Sequence, residues 1–242
     1  MTAILSLQNV SKRFGAVVVA DALSLSLDEG EALGIIGPNG AGKTSLFNMI
    51  AGAIAPDAGR VEYRGQNITQ LSAAQRCRIG IGRSFQIPQP FAGLSVFENL
   101  CVTGFFCARG DRTNVERRAV EVLQLTGMLA KANSLAGSLT LLERKRLELA
   151  RALAGNPKLL LLDEIAGGLT PHECDDLVAA IKEIRETGVS VIWIEHVVHA
   201  LLAVVDRLFV LHQGSKLAEG DPKTVMASPQ VHEIYLGVEA DG

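Results

Sequence analysis

Apolar and polar residues divide this chain into short elements before any single residue is weighed. Residues 3–10 and 22–27 alternate with period two, and Leu23, Leu25 and Leu27 share one face, which predicts strands. Residues 31–36 read as a short buried strand, and Leu46, Met49 and Ile50 then recur at helical spacing until Gly52. The stretch Ala55–Gly59 is turn-rich, 61–64 reads as a strand turned back by 65–67, and 72–78 reads as a short helix. Residues 94–136 carry helical periodicity and no strand signal. Val115, Ala119, Val122 and Leu123 oppose Glu116, Arg117, Arg118 and Glu121 there, and Arg109-Gly110-Asp111-Arg112 reads as the loosest connection. Thr140 and Glu143 form a capping-box pattern opening a helix to about Ala154, which Gly155 and Pro157 end. Leu159–Leu162 is apolar without alternation, as suits a central strand of a parallel sheet. A second capped helix from Thr170-Pro171-His172-Glu173, a second apolar strand 189–194, a hairpin over 208–219 and a helical tail over 221–238 complete the pattern.

The 31–36 strand is followed by Gly37-Pro38-Asn39-Gly40-Ala41-Gly42-Lys43-Thr44-Ser45, a match to G-x-x-x-x-G-K-[ST]. Three glycines let the backbone curl and turn its N–H groups inward, and the following helix start completes a seat for polyphosphate. Lys43 adds a charge for the β- and γ-phosphates, and the Thr44 hydroxyl is placed to ligate Mg²⁺. A glycine-rich turn that binds nothing is the plainer alternative, and the strand before and helix after it argue against that. The second signal is Asp163-Glu164 at the end of the leucine run, where open α/β sheets bind ligands. Two carboxylates beside an apolar strand are costly unless used. His196 ends the next strand and so falls at the same sheet edge. Gln86, in a proline-rich loop, is placed to reach a metal-bound water or the nucleotide, though a loop glutamine is ordinarily only solvated. Phe14 lies in a basic loop, Lys12-Arg13-Phe14-Gly15, between the first two strands; it either stacks on a base or belongs to the core.

Composition narrows the class. A chain of 242 residues with 48% hydrophobic content suits one sizeable α/β domain, or one with an inserted subdomain. A net charge of −3 gives no basic field for nucleic acid. Four cysteines without a C-x-x-C pair are expected as reduced thiols, with disulfides or a zinc site as the minor alternatives. Met1–Val10 lacks a basic n-region, so no signal peptide is expected, and no apolar run approaches the ~20 residues a bilayer span needs.

Taken in chain order, these motifs resemble the ATPase subunit of an ATP-binding-cassette (ABC) transporter, over essentially the whole chain. Within that superfamily the chain is most similar to the branched-chain amino acid (LivG-like) type. The cues are Lys-Arg-Phe-Gly at 12–15, Arg-Ser-Phe-Gln at 83–86, residues 146–153, and Glu-Ile-Tyr-Leu-Gly at 233–237.

The resemblance implies a P-loop NTPase (RecA-like) α/β core sheet with an N-terminal antiparallel β part and an inserted helical subdomain. It implies one domain over 1–242: core 1–85 and 158–220, helical subdomain 86–157, tail 221–242. It implies that Gly37–Ser45 binds ATP, that Asp163, Thr44 and Gln86 serve Mg²⁺, and that Glu164 is the general base. It also implies that His196 contacts the γ-phosphate and that Phe14 stacks on adenine. The implied partners are a second ABC ATPase subunit, integral membrane permease subunits and, indirectly, a solute-binding protein. The place is the cytoplasmic side of the membrane, as a peripheral subunit. The expected cargo is a branched-chain or related amino acid, or an amide such as urea.

Three departures stand out. The usual L-S-G-G-Q signature reads Leu139-Thr140-Leu141-Leu142-Glu143, so Thr140 would supply the hydroxyl for the opposite subunit's ATP while two leucines add bulk. Ile165 stands where proline is common. Gly167-Gly168-Leu169-Thr170 lacks an aspartate, and Thr170 would act as a helix cap. Rival readings are an exporter ATPase for lipid or lipopolysaccharide, a non-transport cassette, and a module that holds ATP without turnover.

Overall fold

The computed structural model describes residues 3–107 and 112–236. Arg109, Gly110 and Asp111, and the tail beyond Leu236, lie outside the described residues. Two sheets form the frame. In the first, β1 (Ala3–Phe14) pairs antiparallel with β2 (Val17–Asp28) and with β4 (Ala58–Tyr63), and β4 turns into the two-residue β5 (Gln66–Asn67). The second has the order β10-β9-β3-β8-β7-β6: β3 (Ala32–Ile36), β6 (Ile81–Arg83), β7 (Leu159–Asp163), β8 (Ser190–Ile194) and β9 (Arg207–His212) run parallel, and β10 (Ser215–Gly220) closes antiparallel.

β1 and β2 correct the expectation at the N-terminus. Each is 12 residues long, so Lys12, Arg13 and Phe14 lie in a strand and not in a loop. Register shifts between Leu7 and Val10 and again before Lys12, with Asn9 at φ 49° and Ala22 at φ 44°, interrupt the alternation that marks a strand in sequence.

The leucine run explains itself in three dimensions. Leu159 and Leu161 face one core, shared with β1, β2 and the helix α1 (Lys43–Ala51). Leu160 and Leu162 face the other, built by helices. The strand is buried on both sides and needs leucine on both. That second core takes in α3 (Val96–Cys107), α4 (Arg112–Leu125), α5 (Leu141–Ala154) and α6 (Pro171–Glu186), with the short α7 (Val198–Leu202). Between β6 and β7 the regular elements of the described residues are all helices, joined by loops, with an isolated bridge of Ser95 with Leu135 beside them. The tail holds α8 (Pro222–Met226) and α9 (Pro229–Leu236).

Both capping boxes form as read. Thr140 accepts from Glu143 N–H and Thr170 from Glu173 N–H, each glutamate returning a bond to the threonine N–H. A third, Ser72 with Gln75, starts α2 (Ala73–Arg78). On α2, Arg76 is buried and its guanidinium donates to the carbonyls of Met49 and Ile50, which α1 leaves unpaired at its C-terminal end. The helix behind the glycine loop is thus anchored by a buried cation whose pKa burial lowers to about 10.

Candidate nucleotide site

The loop Gly37–Thr44 leaves β3 and enters α1 with two glycines held where no side chain fits. A Cβ on Gly37 would lie 2.1 Å from the Leu211 carbonyl oxygen, and one on Gly42, at φ 106°, would lie 2.2 Å from that of Val19. Close packing against β9 and β2 therefore fixes the loop. Lys43 opens α1 and is buried. Its Nζ donates to the Gly37 carbonyl at 2.7 Å and the Pro38 carbonyl at 3.0 Å. Burial lowers its pKa, while the charges of Glu164 and Asp163 oppose that shift. Asn39, Gly40, Ala41, Gly42, Lys43, Thr44 and Ser45 line a cavity of about 290 Å³, with Glu164 across from them. A helix N-terminus, inward amides and an ammonium in one concavity make an anion seat.

Asp163 ends β7 and Glu164 follows it, and the two point to different partners. Asp163 is buried and its Oδ2 is 2.9 Å from Arg83 Nη2; burial raises its pKa and the Arg83 bond opposes this. Arg83 also donates to Asn48 Oδ1 on α1 at 2.7 Å. Glu164 departs from strand geometry, at φ 47°. Its Oε2 accepts from Gln86 Nε2 at 2.5 Å and its Oε1 lies 2.9 Å from His196 Nε2. Gln86 and His196, 78 and 32 residues away in sequence, meet at the carboxylate of Glu164, which lines the cavity while they stand behind it, outside the lining.

Two further acids, which sequence reading did not single out, hold this arrangement. Glu195 is 1% exposed. Its Oε2 accepts from Ala166 N–H at 2.9 Å and its Oε1 from His196 N–H at 2.9 Å and Val197 N–H at 3.3 Å. One carboxylate thus joins the loop after Glu164 to the segment of His196. Glu148, buried on α5, bonds Arg151 at 2.9 Å and accepts from the N–H groups of Phe85 and Gln89, on either side of Gln86; burial nevertheless raises its pKa. The sequence clue to both is an acid inside an otherwise buried pattern.

Pro38 sits in the loop, its carbonyl held by Lys43. Phe14 is exposed at the end of β1 with Lys12 Nζ 5.4 Å from its ring centre. It does not line the cavity; Val17 and Val19 of β2 do. Thr140 also lies away from the lining, at the start of α5. Its hydroxyl accepts from Glu143 N–H, and Glu143 is bound to Lys131 at 2.9 Å. The Thr140 N–H and Lys131 lower the Glu143 pKa. Leu141 beside it is half exposed.

Residues 20–167 match the ABC transporter family. The chain belongs to that family. Residues 215–241 match a second family, the branched-chain amino acid ATP-binding cassette transporter. A probable ABC transporter ATP-binding protein of Azorhizobium caulinodans is 38% identical, over 95% of this chain and 82% of that one. The high-affinity branched-chain amino acid transport ATP-binding protein LivG of Salmonella typhimurium is 34% identical, over 97% and 98%. The lipopolysaccharide export system ATP-binding protein LptB of Escherichia coli is 36% identical, over 97% and 98%. Among solved structures, the ADP conformation of MJ1267, an ATP-binding cassette of an ABC transporter, superposes with a TM-score of 0.89 at 33% identity, over 98% of this chain and all of that one. This chain is therefore an ABC ATPase subunit, with the α/β fold of nucleotide-binding cassettes. No helix among the described residues is long and apolar enough to cross a membrane.

Proposed function

We propose that this subunit hydrolyses ATP to drive import of branched-chain or related amino acids. It would do so as one of a pair of cassettes on a membrane permease, on the cytoplasmic face, with a solute-binding protein delivering the cargo. The observation that carries the chemistry is the Glu164 carboxylate held between Gln86 and His196 opposite the loop Gly37–Ser45. The amino-acid assignment is supported by the tail match over residues 215–241 and the likeness to LivG.

In this reading the loop amides and Lys43 hold the β- and γ-phosphates of ATP, and Phe14 serves the base. Glu164 accepts a proton from the attacking water, whose oxygen bonds the γ-phosphorus while the bridging oxygen leaves with ADP. His196 orients Glu164 and the γ-phosphate. Thr44, Gln86 and Asp163 offer the hard oxygen donors that suit Mg²⁺. Among the described residues no group of three or more His, Cys, Asp or Glu could hold a metal alone, so phosphate oxygens and water would complete its shell. When bound, the ion would neutralise phosphate charge.

Thr140 lies away from its own chain's cavity, so it would meet ATP held by the second cassette. Residues 1–85 and 158–220 form the nucleotide core in this account, and 86–157 the insertion through which motion reaches the permease. Exposed Phe85, Ile87 and Phe91 flank Gln86 and suit that contact.

Glu164→Gln in the assembled complex is expected to cut turnover at least ~10²-fold, the usual share of a general base, while ATP stays bound. Copurification with integral membrane subunits and ATP-dependent leucine uptake in vesicles test the transport claim. Normal turnover by Glu164→Gln, or a complex that moves no amino acid, would refute the respective half.

A further inference from the structure

Cys77 and Cys107 are free thiols with sulfur atoms 2.6 Å apart. They come from different parts of the molecule. Cys77 lies on α2, which Arg76 ties to the end of α1. Cys107 ends α3, which belongs to the helical stretch between β6 and β7. Gly155 lets them meet: a Cβ there would lie 2.9 Å from Cys107 Sγ. The two sulfurs also differ in access. Cys77 opens onto a groove of about 300 Å³ among Phe85, Phe91 and Phe106, whereas Cys107 is buried. The bond to Cys107, helped by the Arg78 charge, lowers the Cys77 thiol to about 7, and the same bond with burial raises Cys107. A reachable thiolate beside a shielded partner thiol suits oxidation in two steps.

We propose that Cys77 and Cys107 form a reversible intrachain disulfide that staples α2 to α3 and arrests ATP turnover. The co-reactant is a low-molecular-weight disulfide. The Cys77 thiolate attacks one of its sulfurs, breaking that S–S bond and expelling a thiolate. The Cys107 thiol then loses its proton and attacks the Cys77 sulfur, expelling the second thiolate. Two protein thiols are oxidised, one small disulfide is reduced to two thiols, and the protein's protons go to the leaving groups. The closed ring contains Gln86, whose loop Glu148 already holds by the N–H groups of Phe85 and Gln89. A ring closed across the groove would stop Gln86 from moving with the insertion.

The consequence for turnover rests on the function proposed above; the linkage does not. Full-length protein is incubated with oxidised glutathione and its mass read without reductant. Expected are a product lighter by two hydrogens, a peptide joining residues 77 and 107, and reversal by reductant. Cys107→Ser should stop at a glutathione adduct on Cys77. In the assembled transporter the same oxidation should slow ATP turnover about tenfold or more by blocking the conformational step. Cys107→Ser should keep its full rate. Two thiols that both remain open to alkylation, or a disulfide that leaves turnover unchanged, would overturn the proposal. A reduced complex without turnover would count against the functional reading, while the mass measurement still decides the linkage.

Discussion

Replacing Glu195 with glutamine keeps the side-chain shape and turns one carboxylate oxygen into a donor. Both oxygens are in use: Oε2 takes the N–H of Ala166, and Oε1 takes those of His196 and Val197. However the amide turns, its NH₂ faces at least one N–H in a site that is 1% exposed. A hydrogen bond to a charged group contributes about 1.5–3 kcal/mol, so the variant should lose about 2 kcal/mol. Lys145 also loses a countercharge, since Glu195 is the foremost charge supporting its ammonium. For a chain of this size ~1 kcal/mol moves the melting temperature by about 2–4 °C, so a fall of about 4–8 °C is expected. Glu195→Ala leaves all three donors bare and should cost about 4 kcal/mol. Turnover should suffer more than binding. Ala166 and His196 stand beside the Glu164 pair, and a displacement of about 1 Å costs roughly 10²-fold in rate. The phosphate loop hangs from β3 and α1 and should keep its ATP affinity. Thermal melting, nucleotide titration and steady-state ATPase read the three quantities. Wild-type melting together with wild-type turnover in Glu195→Gln would refute the bracing role.

Other outcomes follow from neighbouring groups. Arg83→Met strands the buried Asp163 charge and should cost about 3–5 kcal/mol in urea unfolding; an unchanged midpoint would show the pair to be idle. Burial lowers the Lys145 pKa from 10.5, so between that lowered value and 10.5 the unfolded chain binds more protons and stability rises with pH. Lys145→Met should remove that rise, read as the difference between the two pH–stability curves. Replacing Leu141 and Leu142 with glycine should raise turnover in the assembled pair by admitting closer backbone approach, at a helix cost of about 1 kcal/mol per glycine. Slower turnover at unchanged stability would count against the two leucines as the hindrance.

Much of this was legible in the chain. The glycine loop announces itself because its neighbours, Leu33–Ile36 and Leu46–Ile50, are local, and capping boxes at Thr140 and Thr170 span only three residues. The Asp163-Glu164 pair is visible because charge after four leucines breaks a buried pattern. What stayed hidden is long-range. Arg83 meets Asp163 across 80 residues, and nothing in Arg-Ser-Phe-Gln announces a partner. Glu195 carries its backbone bonds out of sight of periodicity, and Arg76 looks like one more basic residue on a short helix. The N-terminal strands read short because bulges scramble the period-two signal on which strand recognition depends.

A strand made of four identical side chains cannot tell its own faces apart. Sliding β7 by one position would exchange Leu159 and Leu161 for Leu160 and Leu162 with almost no change in what each core touches. Hydrophobicity therefore leaves the alignment undecided, and polar neighbours must decide it: Ser84, whose hydroxyl receives the Asp163 N–H, and Arg83 on its carboxylate. An inserted leucine would fold just as greasily yet carry the acid about 3.3 Å along and onto the opposite side of the sheet. Length, more than composition, is what evolution must guard in that segment.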